Sequence, residues 1–216
     1  MEKAKTSSKF KKNTITFFVF FFGVLWLGAI IASFYFFGVY ENTPGKLGIV
    51  PKKLLRTPQL GISKKKPTLL VFLHPRCPCS HATIGALEII ISRTANPCEV
   101  VVVFYAPKDE KKHWYQTRLF QKAQKISLLL QHKKSKIQLR TYVDREAQQS
   151  KKFGATISGT VLLYDAADAL RFHGGITLSR GHFDSGDNFG VEAIVNILNK
   201  KSNKITQTPV FGCSIF

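Results

Sequence analysis

The stretch "HPRCPCSHA", residues 74–82, contains the side chains of this chain best suited to thiol or metal chemistry. Cys77 and Cys79 are separated only by Pro78, and a histidine stands on each side of them. Cysteine reacts as its thiolate, which is favoured at a helix N-terminus and beside cationic groups. The pair could therefore be a reactive dithiol, a soft metal site, or two small buried side chains.

Neighbouring residues could favour the ionised form of the pair. Arg76 carries a positive charge, and His74 or His81 would add one when protonated. Cys77 comes first and should lie nearest the helix start, so we expect it to be the attacking thiol. Cys79 would then resolve the mixed disulfide that forms. A redox dithiol of this kind needs no cofactor.

The same segment could instead hold a metal ion. Cys77, Cys79 and His81 offer thiolate and imidazole ligands, which copper and zinc bind. Further imidazole ligands could come from His74, His173 and His182. A copper or zinc binding and delivery protein is therefore the alternative function.

Two further cysteines bring the total to four. An even number in an exported domain permits two disulfides. Cys98 could be a small buried side chain or could form a structural bridge to Cys213. Cys213 could alternatively be a resolving thiol on a mobile tail.

Apolar patterns place the cysteine pair between a strand and a helix. The continuous apolar run "TLLVFL", residues 68–73, is typical of a strand covered on both faces. Ile84, Leu87 and Ile91 then follow at helical spacing. Over the whole chain the order β-α-β-α-β-α-β-β-α predicts an α/β protein with one mixed sheet. Reactive groups in such sheets gather at the carboxyl ends of strands, where this pair falls.

Later residues predict how the remaining elements begin and end. Asp144 could cap a short helix that ends at Gly154, and a tight turn around 166–168 would join the last two strands. Either Asp187 or Asn188 could cap the final helix. In the loop before that helix, Arg180 and His182 could line the reactive site, although solvated positions are the simpler interpretation.

The N-terminal part of the sequence predicts a membrane anchor. Residues 15–37 carry no charge and, at about 1.5 Å per residue, are long enough to cross a hydrocarbon layer of about 30 Å. The run is longer than the apolar part of a signal peptide and ends in aromatic residues, so we expect an uncleaved span. Five lysines in the basic tail, residues 1–14, predict a cytoplasmic N-terminus. The domain would then face the periplasm or the exterior.

The rest of the chain divides into a linker and one domain. Residues 38–66 are basic and broken by proline and glycine, which predicts a linker, and residues 67–216 would form the domain. The formal net charge is +19, but the lysines are scattered and no base-stacking or groove-reading motif is found. We therefore expect no nucleic-acid partner. The positive charge is instead expected to favour attraction to a membrane surface.

Several stretches resemble the thioredoxin-like superfamily, and more narrowly its small membrane-anchored RedB-type members. They are "HPRCPCSHA", "VDREAQQSKKFGATISGTVLLYDA", "FHGGITLSRGH", "GDNFG" and "TPVFGC". The resemblance implies a thioredoxin-like mixed sheet flanked by helices, and thiol–disulfide exchange with protein thiols, disulfides or a redox partner protein. Three positions depart from the superfamily pattern. Only Pro78 separates the cysteines, Gly159 stands at the position of the usual cis-proline, and Val71 replaces a buried carboxylate.

Overall fold

The computed structural model describes residues 3–63, 65–108, 114–181 and 188–216, and divides the chain into two units, 1–41 and 42–216. Helix α1, Lys3–Asn42, makes up the first unit. Its apolar part, Thr16–Asn42, has a mean hydropathy of 2.4 and is long enough to cross a membrane. None of that apolar surface is buried, and Phe20, for example, is 72% exposed. The structure therefore has one candidate membrane span among the described residues.

The second unit follows the predicted order of strands and helices. Its elements are β1 (Thr68–Leu73), α2 (Cys79–Arg93), β2 (Cys98–Ala106), α3 (Arg118–His132), β3 (Ile137–Arg145), α4 (Gln148–Lys152), β4 (Thr160–Tyr164), β5 (Leu170–Gly174) and α5 (Phe189–Leu198). A 3-10 helix, Pro58–Leu60, precedes them. The expected architecture, an α/β domain with one mixed sheet flanked by helices and one N-terminal apolar helix, is confirmed.

The central strand of the sheet is the one that leads to the cysteine pair. The strand order is β3-β2-β1-β4-β5, in which β1, β2 and β3 are parallel while β4 and β5 run antiparallel. On one face of β1, Leu69 and Val71 pack in a core that includes residues of α2, α3 and α5. On the other face, Leu70 and Phe72 pack with residues that include Phe153. Both faces are buried, which explains the continuous apolar run.

The stretch expected to be a linker differs from that expectation. From residue 42 onward it belongs to the folded unit. Leu54 and Leu60 are buried in the same core as Leu70 and Phe72. The Leu54 N–H donates to Asp168 C=O at 2.9 Å. Arg56 forms an ion pair with the Asp168 carboxylate. The apolar residues scattered through this basic, proline-broken stretch give it a surface to bury, so it packs against the sheet.

The chain after α5, residues 205–216, is called here the C-terminal tail, and it is held along its length. It first runs beside β5, where His173 N–H donates to Thr206 C=O at 3.0 Å and Gly175 N–H donates to Pro209 C=O at 3.1 Å. It then pairs with the loop before β4, and Ile215 is buried. Backbone hydrogen bonds and apolar burial thus hold the tail against the domain, and Cys213 with it.

Two predicted helix caps are present. The Asp144 carboxylate accepts from Gln149 N–H and Ser150 N–H, both at 2.8 Å, and so caps the first turn of α4 from β3, while Ala147 occupies the N-cap position. The Asn188 side-chain oxygen accepts from Gly190 N–H at 2.9 Å and caps α5. Asp187, the other candidate, lies outside the described residues.

Candidate thiol site

Three cysteine sulfurs meet at the end of β1. The Sγ atoms of Cys77, Cys79 and Cys213 all lie within 4.8 Å of one another. Cys77 Sγ and Cys213 Sγ are 2.9 Å apart, although 136 positions separate them in the sequence. The expected pair is thus part of a group of three thiols, here called the thiol cluster.

The turn that carries Cys77 leads directly into α2. Pro78 occupies the N-cap position with helical dihedrals, φ −56° and ψ −37°. Proline suits a helix start because its missing N–H would have no partner there. Ser80 N–H donates to Cys77 C=O at 3.1 Å. Cys77 and Cys79 are only 3% and 9% exposed, but they lie at the helix start and not in the middle of the core.

Two buried serines, Ser80 and Ser158, hold the turn that carries Cys77 through hydrogen bonds. Ser158 Oγ accepts from His74 N–H at 2.8 Å and shares a hydrogen bond with Ser80 Oγ at 2.8 Å. Ser80 Oγ also donates to His74 C=O at 3.0 Å. These bonds join the end of β1, the start of α2 and the loop before β4. Neither serine was predicted from the sequence, since isolated serines carry no distinctive spacing.

The tail brings Cys213 to the cluster through its backbone. Ser158 N–H donates to Cys213 C=O at 2.8 Å. A Cβ atom on Gly212 would lie only 1.9 Å from Ser158 C=O, so the close approach requires glycine. Next to it, Gly159 has a φ of +95° and donates its N–H to Phe72 C=O at 2.8 Å. Gly159 therefore lies in the loop on which the tail rests.

Arg180 is the cation of the cluster. Its guanidinium donates to Gly212 C=O and to Thr43 C=O, the latter at 3.2 Å. The positive charge lowers the pKa of both Cys79 and Cys213, although other effects on these thiols are larger. The simpler interpretation of Arg180 as a solvated loop residue is therefore wrong, because the tail supplies it with a carbonyl partner.

The thiol cluster favours one thiolate, on Cys77. Burial raises the pKa of Cys77, but hydrogen bonds from Cys213 and Cys79 outweigh that effect, and its pKa is lowered overall. The donors include the backbone N–H of Cys79 at the start of α2. This agrees with the general preference of thiolates for helix N-termini.

The other two thiols of the cluster stay protonated. Burial raises the pKa of Cys79, and the neighbouring charge of Cys77 raises it further. Burial and the hydrogen bond with Cys77 raise the pKa of Cys213 to about 12. Interacting sites of this kind titrate as a group, and here the first proton leaves from Cys77.

The residues expected to tune the pair lie around it in different ways. Burial lowers the pKa of His74, which stacks on Tyr105 with ring centroids 5.6 Å apart, so it is neutral near pH 7 and adds no positive charge. The Arg76 guanidinium lies over the Trp114 ring, 4.5 Å from its centroid. His81 is exposed on the first turn of α2. Among described residues, the cation that acts on the sulfurs is thus Arg180.

The remaining candidates lie apart from the thiol cluster. Cys98 is a free thiol in the core at the start of β2, and burial raises its pKa to about 12. A bridge from Cys98 to Cys213 is not formed, because Cys213 lies against Cys77. His173 pairs with the tail on β5 and is not a member of the cluster. His182 lies outside the described residues.

Comparisons with known proteins concern the fold alone. No protein-family model and no curated protein matches the sequence. An uncharacterized conserved protein from Geobacillus kaustophilus is similar in structure, with a TM-score of 0.51 and 15% identity, over 81% of this chain and 89% of that one. A hypothetical protein from Sinorhizobium meliloti has a TM-score of 0.49 and 19% identity, over 82% and 97%. A thiol-disulfide isomerase from Corynebacterium glutamicum has a TM-score of 0.40 and 14% identity, over 74% and 98%.

Proposed function

We propose that this protein is a thiol–disulfide oxidoreductase attached to the membrane by α1, and that Cys77 is its attacking thiol. One observation carries the proposal. The Cys77 sulfur lies at a helix start, has a lowered pKa, and is 2.9 Å from a second thiol. A depressed thiol pKa beside a second thiol is what exchange chemistry requires.

The reaction transfers two electrons from protein to substrate. The Cys77 thiolate attacks one sulfur of a substrate disulfide, and the other sulfur leaves as a thiolate that takes up a proton. A second thiol of the cluster then loses its proton and attacks Cys77 Sγ in the mixed disulfide. The second substrate thiol leaves, and a protein disulfide remains. Run in reverse, the same steps oxidise substrate thiols.

The expected substrates are protein thiols, protein disulfides or a redox partner protein, as the RedB-type resemblance implies. Cys77 and Cys79 are buried and Cys213 is half-buried, so these sulfurs suit a disulfide presented on another protein's surface. The aromatic group of His74, Tyr105 and Trp114 lies next to the turn that carries Cys77. It offers a half-buried aromatic surface against which a substrate chain could lie.

We place the domain outside the cytoplasmic membrane, in the periplasm or at the exterior. The basic tail, residues 1–14, supports a cytoplasmic N-terminus. A fusion of alkaline phosphatase after residue 216 should be active in cells, because this enzyme needs an oxidising compartment to form its disulfides. An inactive phosphatase fusion together with a fluorescent cytoplasmic reporter at the same site would reverse the assignment.

The activity can be tested with the full-length protein in detergent micelles. Reduced protein should reduce insulin disulfides, and Cys77→Ser should abolish that reduction. Cys98→Ala is the matched control, since Cys98 lies in the core apart from the cluster, and it should keep the activity. Insulin reduction by Cys77→Ser at the wild-type rate would refute the proposal.

A second candidate function is copper or zinc binding, now with a different set of ligands. Three sulfurs within 4.8 Å of one another fit a soft ion that prefers thiolates, such as Cu(I). Cys213 takes the place that the sequence analysis gave to His81. Metal analysis after purification would then give one ion per chain in the wild type and in His81→Ala. Cys213→Ser should lose the ion, and equal metal content in all three proteins would exclude this site.

A further inference from the structure

We propose that Cys213, and not Cys79, forms the disulfide with Cys77 when the thiol cluster is oxidised. The inference rests on the proposed function and names the resolving thiol of that same site. It replaces the Cys-Pro-Cys disulfide, expected from spacing, by a link between the start of α2 and the C-terminal tail.

The two sulfurs are already close to bonding distance. Cys77 Sγ and Cys213 Sγ are 2.9 Å apart, and a disulfide is about 2.05 Å long. Both backbones are held in place, since Cys77 N–H donates to His74 C=O at 3.1 Å and Cys213 C=O accepts from Ser158 N–H at 2.8 Å. Closing the bond therefore needs a movement of less than about 1 Å.

A disulfide between Cys77 and Cys79 faces a local obstacle. It would close a small ring across Pro78 alone, and disulfide geometry is specific enough that small rings are strained. Pro78 already has helical dihedrals, and Ser80 N–H donates to Cys77 C=O at 3.1 Å. The short bridge would have to form within this first turn, whereas Cys213 approaches from another part of the chain and leaves the turn as it is.

The exchange step balances with Cys213 as the second nucleophile. After Cys77 has attacked a substrate disulfide, its sulfur is bonded to one substrate sulfur and carries no charge, and Cys213 Sγ is the thiol that lies against it. The Cys213 proton passes to solvent, and Cys213 Sγ attacks Cys77 Sγ. The bond between Cys77 and the substrate sulfur breaks, and the substrate leaves as a thiolate. Arg180 stays beside the tail throughout, through its bond to Gly212 C=O.

Cys79 then stabilises the Cys77 thiolate and does not resolve the mixed disulfide. Its backbone N–H and its thiol both hydrogen-bond to the Cys77 sulfur and lower its pKa. Serine would keep the backbone donor and a hydroxyl donor. We therefore expect Cys79→Ser to close the same Cys77–Cys213 disulfide as the wild type.

The test is a disulfide map of the full-length protein in detergent. Reduced protein is treated with oxidised glutathione, free thiols are blocked with N-ethylmaleimide, and tryptic peptides are analysed without reduction. Cleavage after Arg76 and Lys204 leaves Cys77 and Cys79 on one peptide and Cys213 on another. We expect these two peptides to be joined, in the wild type and in Cys79→Ser. Cys213→Ser should accumulate glutathione on Cys77 and resolve it at least tenfold more slowly.

Ser214→Ala is the control for the tail, because it changes the neighbouring residue and keeps all three thiols, and it should behave as the wild type. A link inside the first peptide with Cys213 alkylated would overturn the inference, as would a Cys79–Cys213 link. Resolution by Cys213→Ser at the wild-type rate would do so too. In the last case insulin reduction could persist, and the proposed function would stand. If the wild type did not reduce insulin at all, the proposed function would be refuted. The disulfide map would still identify which cysteines pair.

Discussion

Cys77 shows how a buried thiol can still be the one that ionises. Removal from water raises the pKa of any thiol, because the charged form loses hydration. At Cys77 the hydrogen bonds from Cys213 and Cys79 outweigh this cost. The thiol that ionises most readily is thus selected by its hydrogen-bond donors and not by its exposure.

The first prediction concerns the pH dependence of that thiol. Its pKa is lowered, so its thiolate fraction at a given pH exceeds that of a free cysteine, whose pKa is about 8.5. The rate of iodoacetamide alkylation at Cys77, followed by mass spectrometry, should therefore reach half its maximum at a lower pH in the folded protein than in the unfolded protein. The profile in 6 M urea provides the unfolded reference. A folded profile that lies at higher pH than the unfolded one would contradict the assignment of Cys77 as the thiolate.

A second prediction concerns Arg180. Its charge lowers the pKa of Cys79 and Cys213, so Arg180→Gln should raise both. We expect the resolution of a glutathione mixed disulfide at pH 7 to be slower than in the wild type, because a smaller fraction of the resolving thiol is then ionised. Arg76→Gln is the matched control, because the Arg76 guanidinium lies over Trp114. Equal slowing in both variants would show that net charge, and not the position of Arg180, matters.

At the scale of residues, the sequence predicted the start of the site but not its completion. Cys77 and Cys79 could be placed because a short apolar strand and a helix start flank them. Cys213 and Arg180 reach the cluster through tertiary contacts more than 100 positions away from Cys77 along the chain. No local pattern encodes such a contact. His81 is close to the pair in sequence, but its side chain is exposed on α2 and is not part of the cluster.

At the scale of elements, the C-terminal tail is the part that completes the site. A third prediction tests its position through Gly212. A methyl group there would meet Ser158 C=O, so Gly212→Ala should push the tail away and separate Cys213 from Cys77. We expect closure of the Cys77–Cys213 disulfide to slow by about tenfold or more, and the stability to fall by about 1–3 kcal/mol, as for overpacked sites.

The measurement for Gly212→Ala is the rate of disulfide closure together with urea unfolding. Ser214→Ala, at an exposed position of the same tail, is expected to change neither. Wild-type closure rates in Gly212→Ala would show that the tail finds Cys77 without its contact to Ser158.

A fourth prediction concerns the stretch once expected to be a linker. Arg56 Nε donates to the Asp168 carboxylate at 2.8 Å, and Arg56 Nη1 donates to Ser63 C=O at 2.8 Å. Arg56→Met should release this stretch, so that amide exchange at Leu54, whose N–H is bonded to Asp168 C=O, becomes at least tenfold faster. Arg171→Met, whose ion pair with Asp165 is long at 4.0 Å, is the control. Unchanged exchange at Leu54 would mean that apolar burial alone holds the stretch.

The elements themselves could largely be predicted, and the reason is physical. Strands β1 and β2 are buried on both faces, so each appears in the sequence as a continuous apolar run. The short helix α4 could be predicted from Asp144, whose carboxylate accepts hydrogen bonds from its first turn. The stretch from 42 to 66 lacked such periodicity. Its few apolar residues act singly, as Leu54 and Leu60 do, and single anchors cannot be told apart from solvated linker residues in a sequence.

At the scale of the whole molecule, the proposed disulfide would join positions 136 residues apart. A cross-link restricts the unfolded chain, by about 4.7 kcal/mol for a loop of about 100 residues in the entropic account. The fifth prediction is therefore that the oxidised protein is more stable to urea than the reduced protein, by roughly 2–5 kcal/mol. Cys213→Ser should show no such difference between the two conditions. A disulfide between Cys77 and Cys79 would close too small a loop to raise the free energy of unfolding by this amount.

The tail has one more effect on the molecule, which follows from its place beside β5. Strands at the margin of a sheet offer unpaired backbone groups to other chains, and the bonds of His173 and Gly175 to the tail occupy part of this margin. Deleting the tail would therefore uncover a surface prone to self-association as well as removing a sulfur. Aggregation of a truncated protein would say nothing about Cys213, and only substitutions that keep the backbone in place separate the two effects.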